Sequence, residues 1–288
     1  KDSDVELVVE GDIKDGYEVI CPKLKVGGCV EDAKVDVRDL QISKGIVGTS
    51  DIPINANVIR VGYINGTRKI YAKIVKVLRE ISNGAYITAD YVQANTIQGS
   101  NITAKYGIIV DFINGTNNIY IGIDYEVKSE FDKLSKEISV IEKEINEMKN
   151  ESYQVAKRMA KMKQLAKINP RNPHLIKEMK KIKEFKEKLD SNIAFYNELR
   201  DKKNKCAERM YLFKENFLLV KSGFSPDTST DQIVDPDTNL RICRHFMKIS
   251  EPKSGGLFKA DEYKVNFFNK FNVNEYKSII ENKIKSLN

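Results

Sequence analysis

Tryptophan is absent from the 288 residues, histidine occurs twice and cysteine four times. No apolar run approaches the roughly 20 residues that a membrane-spanning helix needs. The cysteines, Cys21, Cys29, Cys206 and Cys243, form no CxxC pair. Cys243-Arg244-His245 supplies one thiol and one imidazole, too few for a tetrahedral metal site, so reduced thiols and no metal are expected. Neither His174 nor His245 has an identifiable Ser, Cys or Asp partner for nucleophilic catalysis. The GxxxxGK[ST], GxGxxG and GxSxG patterns are missing, which removes the usual phosphate cradles and the nucleophile elbow. Asp12, Asp15, Asp32 and Asp36 could pair as acid and base, but carboxylates that satisfy turn amides are commoner. The expectation is a protein with no catalytic residue, no cofactor and no metal.

Charged residues make up 31% and hydrophobic residues 41%, the balance of a folded, soluble chain with room for two or three units. The chain begins at Lys1 rather than Met, which reads as a fragment or a processed product.

Two repeats dominate the first 124 residues. Ile87-Thr88-Ala89, Val92-Gln93-Ala94, Ile97-Gln98-Gly99 and Ile102-Thr103-Ala104 repeat a five-residue unit of branched, polar and small residues. Fixed short periods mean a chain wound on itself. In this reading Ile97 faces inward between Val92 and Ile102, and Gln98 faces out. Earlier, Val9-x-Gly11-x-Ile13-x-Asp15-Gly16 is followed 17 residues on by Val26-x-Gly28-x-Val30-x-Asp32-Ala33, with a looser copy from Leu40 to Gly48. The alternation predicts strands with one buried face, and the Asp-small pairs predict corners. The segment Val61–Tyr71 recurs at Val110–Tyr120, 49 residues or about three coils later. Its Asn65-Gly66 and Asn114-Gly115 pairs suit type I′ turns in hairpins or tight corners.

From Val127 the spacing alternates four and three, through Phe131, Leu134, Ile138, Ile141, Ile145, Met148, Ser152, Val155, Met159, Met162 and Ala166, with Ser152 the single polar interruption. Sustained heptads predict a coiled coil. Asn169-Pro170-Arg171-Asn172-Pro173 stops that helix after Ile168, and a second series runs from Met179 to Phe217. Two similar arms around a proline turn predict an antiparallel hairpin, with a parallel oligomer as the alternative. Residues 157–188 hold 12 basic and 3 acidic residues, whereas residues 126–151 hold 5 basic and 8 acidic. The first segment is therefore +9 and the second −3, against +7 for the whole chain. Lys161, Lys163, Lys167, Arg171, Lys177, Lys180, Lys181 and Lys183 are the candidate contacts with an anionic partner, either an acidic protein or an anionic membrane surface. Aromatics do not interleave these charges, which disfavours nucleic acid. Self-association stays open. Met159, Met162 and Met179 read as core filler.

Beyond the hairpin, Leu218–Val220 and Leu240–Ile249 read as strands that return to the open end of the β-body, with a loop at Ser225–Asn239. Ser254-Gly255-Gly256 reads as a linker. Tyr276, Ile279, Ile280, Ile284 and Leu287 mark an amphipathic helix over Val273–Leu287. The predicted fold class is thus mixed β and α. A right-handed β-solenoid over 1–124 is followed by an antiparallel coiled-coil hairpin over 125–217, turning near 169–173. Returning strands and the last helix fill 218–288.

The residues Val8-Val9-Glu10-Gly11-Asp12-Ile13, Gly16, Leu24–Gly28, Val30–Val35 with Ala33, and Leu40-x-Ile42 to Gly45-Ile46-Val47-Gly48 resemble the flagellar assembly protein A (FapA) family. The resemblance covers roughly residues 5–220, and the remainder departs from the family's short closing strands. It implies a cytoplasmic bacterial protein without catalytic residues. The expected role is a scaffold for flagellar assembly or polar placement, at the cell pole or flagellar base, acting through protein contacts. The alternative is a phage-tail or adhesin stalk of β-windings and coiled coil.

Overall fold

The structure is a computed structural model and describes residues 5–168, 172–225, 238–251 and 253–287. The chain divides into two compact units: Lys1–Tyr125 with Tyr211–Asn288, and Glu126–Met210.

The first unit is a β-solenoid. Its first strands are β1 (Glu6–Val9), β2 (Glu18–Val26), β3 (Val30–Glu31), β4 (Lys34–Val47), β5 (Ile54–Asn65), β6 (Lys69–Val77), β7 (Glu80–Ser82), β8 (Tyr86–Gln98), β9 (Asn101–Asn114) and β10 (Asn117–Ile121). Every pairing among them is parallel. The register builds three columns of apolar side chains. One runs Val19, Val35, Ile54, Ile70, Ile87, Ile102, Ile119. The second runs Leu7, Leu24, Leu40, Ile59, Val75, Val92, Ile108. The third runs Ile13, Val30, Ile46, Ile64, Ile81, Ile97, Ile113. Most of these residues are fully buried. Each fully buried one contributes roughly 1.5–3 kcal/mol, which is why apolar residues recur at these positions.

These columns correct the reading of the five-residue unit. One unit advances the chain from one column to the next, so three units make one coil: Ile87 pairs with Ile102, 15 residues on. Ile97 is buried as expected, but its stacking neighbours are Ile81 and Ile113, not Val92 and Ile102. Elsewhere a coil is longer, up to the 19 residues between Val35 and Ile54.

The Asn-Gly pairs are corners, not hairpins. Gly66 and Gly115 have φ of 112° and 60°, whereas Asn65 and Asn114 are not among the residues with positive φ. A type I′ turn needs both, and the flanking strands β5 and β6 run parallel. A Cβ at Gly66 would lie 2.1 Å from the Gly48 carbonyl oxygen, so the close stacking of corners excludes a side chain there. At Asp32 the same corner is held by a non-glycine residue at φ 42°.

The helices are α1 (Tyr125–Ile168) and α2 (Pro173–Met210). Around this insertion the solenoid closes on itself. Ile123 bridges Tyr211, and the Leu212 amide donates to the Gly122 carbonyl at 2.9 Å. The strand β11 (Phe217–Ser225) then pairs parallel with β9, and β12 (Thr238–Ile242) parallel with β10, so the winding resumes. Leu218 and Leu240 extend two of the three columns.

Four expectations change here. The apolar series Met179–Phe217 is not one helix: α2 stops at Met210, and Phe213 and Phe217 pack in the β-unit. The segment Leu240–Ile249 is a hairpin, because Cys243 turns at φ 52° and β13 (His245–Ile249) runs back antiparallel to β12. Ser254-Gly255-Gly256 is no linker but lies within β14 (Lys253–Ala260), which pairs antiparallel with β11 and with β15 (Val265–Phe268). The glycines are there for closeness: a Cβ at Gly256 would meet the Phe267 ring at 2.0 Å. Of the predicted loop Ser225–Asn239, Ser225, Thr238 and Asn239 belong to strands, and residues 226–237 lie outside the described residues.

The last helix, α3 (Val273–Leu287), matches its predicted span. Its Tyr276, Ile280 and Ile284 are buried with Val58, Ile74, Tyr91 and Ile109, which point outward from the solenoid. Ile279 faces water more than the amphipathic pattern suggests, at 38% exposure.

In the second unit α1 and α2 touch through side chains whose numbers rise on one helix and fall on the other. Lys203 lies 4.9 Å over the Phe131 ring, and Asn192 Nδ2 is 3.4 Å from Glu144 Oε2. Leu134, Ile138, Leu199 and Cys206 form one apolar cluster. The contacts are antiparallel. Residues 169–171 of the predicted turn lie outside the described residues. Asn172 caps α2 by accepting the His174 amide at 3.0 Å, with Pro173 in the first helical position, where a missing amide hydrogen costs nothing.

Candidate functional site

The acidic residues weighed for acid–base chemistry include two corner carboxylates with clear structural partners. Asp12 accepts the Cys29 amide at 2.8 Å, and that bond, with Lys14, holds its pKa below the ordinary value. Burial pushes Asp32 up. The opposing bonds from the Ser50 amide and the Arg68 guanidinium, each 2.8 Å, and from the Thr49 amide outweigh it, so the net shift is down. Such carboxylates are ionised anchors of turns. Cys243 and His245 are likewise bound into the fold. Burial pushes the Cys243 thiol up to about 12, and a His245 ring nitrogen lies 3.0 Å from the Asp261 carbonyl oxygen. Among the described residues, no group of three or more His, Cys, Asp or Glu side chains could hold a metal ion. Among the described residues, no helix is long and apolar enough to cross a membrane.

The basic residues of the hairpin form the other candidate. α1 carries Glu126 in its first turn and Lys167 in its last, both placed to suit the helix dipole. Lys161, Lys163 and Lys167 on α1, and Lys177, Lys180, Lys181 and Lys183 on α2, are all exposed. Arg171 lies outside the described residues. Three of the lysines have carboxylate neighbours on their own helix: Lys181 with Glu178 at 2.7 Å, Lys183 with Glu187 at 3.6 Å and Lys180 with Glu184 at 3.7 Å. The Lys181 ammonium holds the Glu178 carboxyl below its ordinary value. Exposed pairs of this kind are weak because water and salt screen them, and they leave most of the positive field uncancelled. Among the described residues, no carboxylate lies within ion-pair distance of Lys161, Lys163, Lys167 or Lys177.

Two of the eight predicted contacts, Lys163 and Lys183, are brought together across the helices. With Lys186 they border a groove lined by Met159, Met162, Met179 and Ile182, about 240 Å³ in volume. The other described lysines project separately. Sequence reading missed Lys186 and took the methionines for core. Met159 and Met179 are instead 40% and 46% exposed. The readable signal was the pairing of Met159 with Met162 and Met179 with Ile182, each one helical turn apart on facing helices.

A family model for the Flagellar Assembly Protein A beta solenoid domain matches residues 2–265. The chain belongs to this family. The match extends well past residue 220, so the returning strands β11 to β14 and the start of β15 fall inside the family region, contrary to the narrower resemblance read from sequence. The rest of β15 and α3 lie beyond the matched region. No curated protein and no solved structure matches the chain.

Proposed function

We infer that this chain is a non-enzymatic scaffold of bacterial flagellar assembly or polar placement, acting in the cytoplasm through protein contacts. The single observation that carries this reading is the family match over residues 2–265, which includes solenoid, helices and returning strands as one region. Two features of the molecule support it. The solenoid interior is filled by three apolar columns, so the winding is a packed rod segment rather than a substrate channel. The exposed lysines of α1 and α2 then supply a surface for an anionic partner, which an acidic protein would satisfy. Family membership favours this reading over a phage-tail or adhesin stalk.

The test is genetic and cytological. The gene is deleted, flagella are counted by electron microscopy, and the tagged full-length protein is imaged in the complemented strain. The reading expects loss or misplacement of flagella and a focus at the pole or flagellar base. Normal flagella in the deletion strain together with diffuse fluorescence would overturn it.

A further inference from the structure

Seam packing between α1 and α2 is uneven. Leu134, Ile138 and Leu199 are 9%, 9% and 3% exposed, whereas Met159 and Met179 stay 40% and 46% exposed. Leu175, one turn before Met179 on α2, is by contrast only 4% exposed. One side of the pair is therefore left unfilled, and it is the side lined by Met159, Met162, Met179 and Ile182. We propose that this groove receives the apolar face of an acidic, amphipathic α-helix from a partner protein. The proposal rests on the scaffold reading and names the chemistry of its partner.

Three observations select that occupant. The groove between two antiparallel helices is the position a third helix takes in a bundle, with side chains one turn apart entering between those of its neighbours. Methionine is unbranched and adaptable, and suits a surface that must accept another side-chain set. Lys163 on one lip, and Lys183 and Lys186 on the other, stand where carboxylates flanking the partner's apolar stripe would lie, in a segment of net charge +9. A flat bilayer is a poorer match, because Met162 and Ile182 are recessed between the helices.

The test uses the full chain with ¹³C-labelled methionine methyls. The chain has six methionines. Met159, Met162 and Met179 report on the groove, and Met148, Met210 and Met247 serve as internal controls. The probe is a synthetic helical peptide with leucines at i, i+3, i+4 and i+7 flanked by glutamates. A scrambled peptide of the same composition and vesicles containing phosphatidylglycerol are the comparisons. The designed peptide should shift the three groove methyls and spare the controls. Met159→Gln with Met179→Gln should weaken binding about ten-fold or more, since the exposed part of each methionine is buried only in the complex. These positions are half-exposed, so unchanged melting is expected and separates lost binding from lost folding. Silent groove methyls, equal shifts from the scrambled peptide, or shifts from vesicles alone would overturn the proposal. If the groove is silent while charge reversal of the lysines still delocalises the protein, the helix occupant falls and the anionic contact stands. If charge reversal changes nothing in cells, the contact itself falls.

Discussion

The fully buried guanidinium of Arg68 lies 2.8 Å from the carboxylate of Asp32, a residue 36 positions earlier in the chain. Arg68 also donates to the Ala33 carbonyl at 2.8 Å. One side chain thereby ties together corners of different coils, where a second ligand for Asp32 comes from the Ser50 amide. Removing one member of such a pair leaves the other without its counter-charge. Arg68→Met should therefore cost about 3 kcal/mol or more in urea unfolding at neutral pH. A cost under about 0.5 kcal/mol would show that the corner holds without it.

The same corner gives a pH dependence. The folded pKa of Asp32 lies below its ordinary value of 3.8, so its contribution is present above that pH and is lost as pH falls through the folded value. Asp32→Asn should destabilise the protein by about 1–3 kcal/mol at pH 7. The gap between variant and parent should narrow as pH drops below the ordinary carboxylate value. A gap that is constant from pH 7 down to pH 3 would contradict the ionised anchor.

Stacking of the columns is tested at Ile97. Ile97→Ala should cost about 2–5 kcal/mol, while Gln98→Ala, at a half-exposed position, should stay within about 0.5 kcal/mol. A double-mutant cycle should give stronger coupling between Ile97 and Ile113, which pair in register, than between Ile97 and Val92. The reverse order would restore the sequence-based stacking.

The outer helix is tested at Ile280, which is fully buried with Tyr91 and Ile109. Ile280→Ala should lower stability by about 2–5 kcal/mol, and deletion of α3 should expose apolar surface that binds a hydrophobic dye. No change in either measurement would mean that α3 does not hold this face in solution.

Much of this architecture was legible in the residues. The fixed five-residue period from Ile87 to Ala104 declares a chain wound on itself, and Val273–Leu287 declares its helix by periodicity alone. What could not be read was which residue stacks on which. Ile97 looks adjacent to Val92 and Ile102 in sequence, yet its contacts are Ile81 and Ile113, because the wall to which a residue belongs depends on where the corners fall. Phe213 and Phe217 were assigned to the helix because their spacing continues the heptad, and tertiary packing in the β-unit overrode it. Gly255 and Gly256 read as flexible, whereas close approach to Lys221 and Phe267 demands them. For the basic surface, composition revealed the charge. The exposed methionines beside it depend on how completely two helices close, which no spacing rule reports.

The antiparallel pairing of α1 and α2 can be trapped chemically. Glu144→Cys with Asn192→Cys, in a background with Cys21, Cys29, Cys206 and Cys243 replaced by serine, should cross-link within one chain through a short bis-maleimide. Products at twice the chain mass alone would favour a parallel oligomer.

The central claim is that an exposed basic surface on a packed, non-catalytic scaffold engages an anionic partner, and charge reversal tests it most directly. Lys161, Lys163, Lys167 and Lys177 are changed together to glutamate in the full-length protein, and both melting and cellular location are measured. The account predicts melting within a few degrees of the parent, because these side chains are exposed, together with loss of the polar or flagellar-base focus. An unchanged focus in a normally melting variant would contradict it.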